Sequence, residues 1–250
     1  TQKFNKTVSQ DFLGVPEKIV HLYKYVGILG IVTVISLNNF YLKDSLGAND
    51  YLALFFSLML IFYHNLNSFN SHFTNFIFLA TFFLFSLLVF PRVIIIALGG
   101  GFFETFDNEV VYYFLNIPLG KLVSFLGYAN YSELSLFKFY NSSGEIISVD
   151  IGRTCSGLQS VALFLSAFLS HILIKYRALN LETILFCIFG ILLSYIANLL
   201  RMLVIILVGI HYSYDLMLWT HNYLGWLVFT AWLFLFWEIY EKYHGSFVIK

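Results

Sequence analysis

From Leu181 to Ile210 the chain is one unbroken apolar run that carries two charges, Glu182 at its start and Arg201 deep inside it. A helix of that length exceeds the ~30 Å hydrocarbon core of a bilayer at ~1.5 Å per residue. No soluble domain buries such a helix on every side, so the run points to lipid. Composition agrees: 59% of residues are hydrophobic and 11% are charged, against roughly 25% charged in a soluble domain. The fold class expected is an all-α polytopic membrane protein of about six to eight transmembrane helices, with a small extracytoplasmic β-hairpin.

Six spans are expected: 25–40, 51–63, 73–98, 158–174, 181–210 and 221–240, with polar connections at 41–50, 64–72 and 211–220. Pro91-Arg92 interrupts the third run, and Gly99-Gly100-Gly101 ends it. Residues 110–128, with Pro118, Gly120 and Lys121, read as short helices or a re-entrant segment and could raise the count to eight. Residues 134–149 alternate around Asn141-Ser142-Ser143-Gly144, which is a hairpin signal. Residues 1–250 are thus taken as a single multi-pass domain, 99–154 as an extracytoplasmic or re-entrant segment with its hairpin, and 155–240 as catalytic helices. Lys3, Lys6, Lys18 and Lys24 put the N-terminal end inside by the positive-inside rule. The first twenty residues are mixed and polar and do not read as a cleavable leader.

Net charge is zero, which argues against nucleic acid as a partner. The two cysteines, Cys155 and Cys187, do not suggest a disulfide framework, since Cys187 lies inside an apolar run. The pair of histidines in His64–His72 is a weak metal signal, and no spacing suggests zinc. The glycine run lacks the lysine of a phosphate loop. No cofactor and no metal are expected.

Cys155 stands where a polar segment enters an apolar helix, in Gly152-Arg153-Thr154-Cys155-Ser156-Gly157. Ser156 or Thr154 can cap that helix. A thiol in a first helical turn, beside Arg153, is placed to form thiolate. The alternative open at this point is a small apolar residue among many. Lys175 and Arg177 mark the far end of the Cys155 helix as inside, which puts Cys155 at the outer face. Arg201 lies about 30 Å along the next helix, back at that face. His221, after the following polar loop, opens the last span at the same depth.

Three residues distant in sequence therefore converge. An intramembrane arginine is costly and calls for a partner. Asn198 lies on its face three residues earlier, and Gly225, four residues after His221, allows close backbone approach. A Cys/His pair supports nucleophilic acyl transfer, with an arginine to stabilise the oxyanion. Separate readings also stand: Arg201 snorkelling to head groups, and His221 as an interface histidine beside Trp219.

Three blocks resemble the exosortase/archaeosortase family of multi-pass membrane cysteine transpeptidases: Cys155-Ser156-Gly157, like its Cys-small-Gly pattern; Asn198-Leu199-Leu200-Arg201, like its Asn-x-x-Arg; and His221 to Gly225, like its His-x-x-x-Gly. The resemblance covers the C-terminal half. It implies Cys155 as nucleophile, His221 as acid/base and Arg201 as stabiliser of the intermediate. It further implies a plasma-membrane enzyme whose substrates are secreted proteins with a C-terminal sorting signal: a motif, a transmembrane helix and a basic cluster. Cleavage would occur at the outer face, with transfer to a lipid or other acceptor. Met202 follows the arginine where many archaeosortases have Asn, so no subgroup is assigned. Two other functions stay open on the residues alone: a transporter with Arg201 as an anion-binding residue, and a structural assembly factor.

Overall fold

The computed structural model describes residues 17–42, 46–91, 109–152, 155–175 and 180–247. The chain divides into two compact units, one of Thr1–Val93 with Ser166–Leu179, the other of Ile94–Leu165 with Asn180–Lys250.

The first unit holds α1 (Glu17–Ser36), continued by a π-helical stretch at Leu37–Leu42, then α2 (Ala48–Phe69) and α3 (Ser71–Leu88). The polar stretch His64–His72, expected as a turn, is almost entirely helix. Only Asn70 is extended; its carboxamide accepts from the Phe73 N–H at 3.1 Å and so caps α3. Tyr23, Phe56, Tyr63 and Phe78 form an aromatic core in which the Tyr63 hydroxyl donates to Asn75 Oδ1 at 2.6 Å. Among the described residues, five helices are long and apolar enough to cross a membrane: His21–Asn39, Ser71–Leu88, Leu158–Lys175, Leu181–His211 and Tyr214–Tyr243. The expected second span, α2, has the length but not the apolarity; Asn49, Asp50, His64 and Asn65 make its ends polar. The glycine run at 99–101 and the end of the third expected span lie outside the described residues.

The second unit opens with a π-helical turn, Tyr112–Asn116, running without a break into α4 (Ile117–Phe125). Residues 112–125 are thus one continuous helical stretch, and Pro118 falls at the junction where the π-helical turn, with the Ile117 N–H on the Tyr112 carbonyl, gives way to α4. A three-stranded antiparallel sheet follows in the order β1 (Asn130–Glu133), β2 (Leu136–Tyr140), β3 (Ile146–Asp150). The expected hairpin is its β2–β3 half, with Phe139 opposite Ile147. Asn141 Oδ1 accepts from the N–H groups of Ser143 and Glu145 and shapes the turn. The alternation of β2 buries Phe137 and Phe139 completely.

Then come α5 (Leu158–Lys175), whose first half belongs to this unit, α6 (Leu181–His211) and α7 (Tyr214–Phe247). The stretch 211–220, expected as a loop, is a joint at Tyr212-Ser213 followed by helix. At 31 and 34 residues, α6 and α7 are about 46 Å and 51 Å long and outreach the hydrocarbon core. Each is apolar outside as well as inside: on α7, Trp226 and Phe234 are over 70% exposed while Phe236 and Tyr240 are fully buried. Lipid, not water, suits the outer set.

A stripe of every-fourth positions on α6, Gly190, Ser194, Asn198 and Met202, is buried. Gly190 lies against the ring tip of Phe164, which Trp232 and Phe236 hold edge-on at 5.1 and 4.8 Å. That ring has nowhere to go. Gly190→Val should therefore lower stability by roughly 1–3 kcal/mol through overpacking, read as a drop in Tm of the detergent-solubilised protein, whereas Leu192→Val on the exposed face should leave Tm nearly unchanged.

Candidate active site

Cys155 follows β3 by a short connection and sits three residues ahead of the first residue of α5, in a tight turn whose Cys155 N–H donates to the Gly152 carbonyl at 3.0 Å. It was expected inside the first helical turn. Gly157 intervenes instead: its carbonyl accepts the first helical bond, from Val161 N–H at 3.0 Å. Ser156 reaches only Leu158 N–H, at 3.4 Å, so its capping is weak. Arg153 and Thr154 lie outside the described residues.

Two features of Gly157 fit no other residue. Its φ is +81°, in the left-handed region that a β-carbon disfavours. A β-carbon there would also stand 2.8 Å from the Asn198 carboxamide. The absence of that carbon lets α6 reach the turn, and Asn198 Nδ2 donates to the Cys155 carbonyl at 3.0 Å in a buried bond. Cys155 itself is 7% exposed and shares its apolar core with Met202, Ile151, Phe137 and Phe139. The sheet fixes this core from the other side. Asn116 bonds the Leu134 carbonyl, Asn130 bonds the Gly120 carbonyl, and Ser142 N–H donates to the Ile210 carbonyl at the end of α6.

The structure brings the three chemically pointed residues together. Cys155 Sγ is 3.7 Å from His221 Nε2. His221 is not at the start of its helix but about two turns in, because α7 begins at Tyr214. Arg201 lies within electrostatic reach of both the Cys155 thiol and the His221 imidazole. Its guanidinium rests over Gly225, where a β-carbon would stand 3.3 Å from Nη1; Nη2 makes a weak contact with Met202 Sδ at 3.8 Å. Among the described residues no carboxylate bonds Arg201 or His221. The expected supporting residues Asn198, Gly157 and Gly225 all touch the site, and Ser156 is adjacent to it.

His211 bonds the Tyr128 hydroxyl at 2.7 Å. Two neighbours escaped the sequence reading. Ser194 and Trp232 line the small cavity beside Arg201 and Asn198. The four-residue spacing Gly190–Ser194–Asn198 on α6, and Gly225 followed seven residues later by Trp232 on α7, were the signals that could have found them.

The sequence model of the transmembrane exosortase family matches residues 23–238. No match was found among curated proteins or among solved structures.

Asn198→Ala removes the buried bond to the Cys155 carbonyl, a loss of about 1–3 kcal/mol. Gly157→Ala strains the same turn. Both should lower Tm and speed modification of Cys155 by iodoacetamide, as the turn loosens; Gly152→Ala, which meets nothing nearby, should do neither.

Proposed function

Because the chain belongs to the transmembrane exosortase family, we propose that it is a membrane-embedded cysteine transpeptidase that cleaves C-terminal sorting signals of secreted proteins and passes the new C-terminus to a lipid or other acceptor. The observation that carries this reading is the Cys155–His221 pair at 3.7 Å with the Arg201 guanidinium beside it and no carboxylate bonded to that guanidinium or to His221 among the described residues. A cation held among apolar helices needs an anion. The acid in its reach is the thiol, and during reaction it would be the oxyanion.

The chemistry follows from those positions. His221 Nε2 takes the Cys155 proton, and the thiolate attacks the scissile carbonyl carbon, whose π electrons move onto oxygen. Arg201 stabilises that oxyanion. When the tetrahedral intermediate collapses, the C–N bond breaks and His221 protonates the departing amine. A thioester to Cys155 remains. An acceptor amine or hydroxyl, deprotonated by His221, then attacks the thioester and releases the thiolate; water in that role would give hydrolysis.

The site's place along the helices suits this substrate. Lys175 closes the end of α5 opposite to Cys155, and by the positive-inside rule this supports a thiol toward the outside. There it would meet a motif just beyond the substrate's own transmembrane helix. The plasma membrane is the bilayer such secreted substrates cross.

Co-expression with a tagged membrane-anchored substrate from the same genome tests the reading, with processing followed by gel mobility and mass spectrometry. Cys155→Ala should abolish processing and Cys187→Ala should not; the mass of the new C-terminus separates hydrolysis from transfer. Normal processing by Cys155→Ala would sink the nucleophile assignment and return Arg201 to an anion- or lipid-binding role. Arg201→Lys keeps charge but loses the planar fork, and should lower kcat on the order of 10²-fold, the scale of losing one oxyanion donor.

A further inference from the structure

Beside Arg201, one small cavity is lined by Ser160, Ser194, Asn198, Arg201 and Trp232, and four polar atoms of this set are buried with no hydrogen-bond partner among the described residues: Ser194 Oγ, Asn198 Oδ1, Arg201 Nε and Trp232 Nε1. Ser194, Asn198 and Trp232 are 3%, 5% and 7% exposed. They come from two helices, α6 and α7, so local chain geometry does not explain their meeting. A buried polar atom without a partner is costly. Four around one cavity call for a common partner.

The donor inventory says what that partner is. Arg201 Nε–H and Trp232 Nε1–H can only donate. Asn198 Oδ1 can only accept, and the Ser194 hydroxyl does either. A single water molecule accepts two hydrogen bonds and donates two, and so matches the set. The cavity has room for about one water; an organic ligand or a hydrated ion would not enter.

We propose that Ser194, Asn198, Arg201 and Trp232 enclose one structural water, and that Ser194 and Trp232 are positioning residues for the guanidinium. The water ties Nε to both helices and leaves the two terminal nitrogens to face the thiol side. It also joins the guanidinium to Asn198, whose other end bonds the Cys155 carbonyl. The nucleophile's turn and the arginine are thereby held in one network.

An experimental structure of the full chain in nanodiscs, at a resolution that shows ordered water, should reveal one peak within hydrogen-bond distance of all four atoms. A peak bonded to fewer than three of them, or a cavity closed by direct side-chain bonds, would overturn the proposal. A double-mutant cycle in Tm gives a second reading. Trp232→Phe keeps the ring packing against Phe164 and removes the N–H; Ser194→Ala removes the hydroxyl. With a shared water the double variant should fall about as far as the worse single variant, and an additive fall would count against it.

The kinetic arm rests on the proposed role of Arg201 in turnover. Trp232→Phe should lower kcat about tenfold with KM unchanged, and an unchanged kcat with the water in place would overturn the positioning role. The structural arm needs no turnover. Failure of the cysteine assignment therefore leaves the water test intact, and failure of the water test leaves the cysteine assignment standing.

Discussion

A guanidinium held among apolar helices is the constraint around which the second unit is built. Arg201 cannot give up its charge, and lipid offers it nothing. The fold brings to it what it needs from three directions: the open backbone at Gly225, the polarizable sulfur of Met202, and the thiol of Cys155 within electrostatic reach. No carboxylate bonds it among the described residues.

The second requirement is rigidity around the thiol. Cys155 lies in a turn, and turns are the mobile parts of most proteins. Here the turn is held on both sides. On one side Asn198 bonds its carbonyl at 3.0 Å across a gap that only Gly157 leaves open. On the other, the buried phenylalanines of β2 pack into the same core as the thiol, and the sheet is bonded to the end of α6 through Ser142 and Ile210. The sheet is small, but it converts a connection between helices into a fixed platform for the thiol.

Much of this was legible in the chain. The bounds of α5 and α6 follow from their apolar runs, because lipid demands an unbroken helix with all its backbone bonds internal. Cys155, Arg201 and His221 stood out as polar groups at a common depth, and Asn198 and Gly225 stood out by helical spacing from them. The errors also have physical causes. His64–His72 and 211–220 are polar and looked like loops, yet they are helical except at the Asn70 cap and the Tyr212-Ser213 joint, because exposed helix ends tolerate polar residues. The strand β1 carries too few apolar positions to announce itself, and is a strand only because β2 offers it an edge.

Read from the chain alone, the polytopic class and the grouping of Cys155, Arg201 and His221 were in view, with His221 placed at a helix start rather than two turns in. These depend on period and composition, which are local. Only the tertiary structure decided which faces of α6 and α7 meet, that Sγ and Nε2 lie 3.7 Å apart, and that Ser194 and Trp232 share a cavity with the arginine. Helix rotation is set by packing between segments far apart in the chain. A stripe of small and polar residues shows that a helix has an inner face without saying what stands opposite.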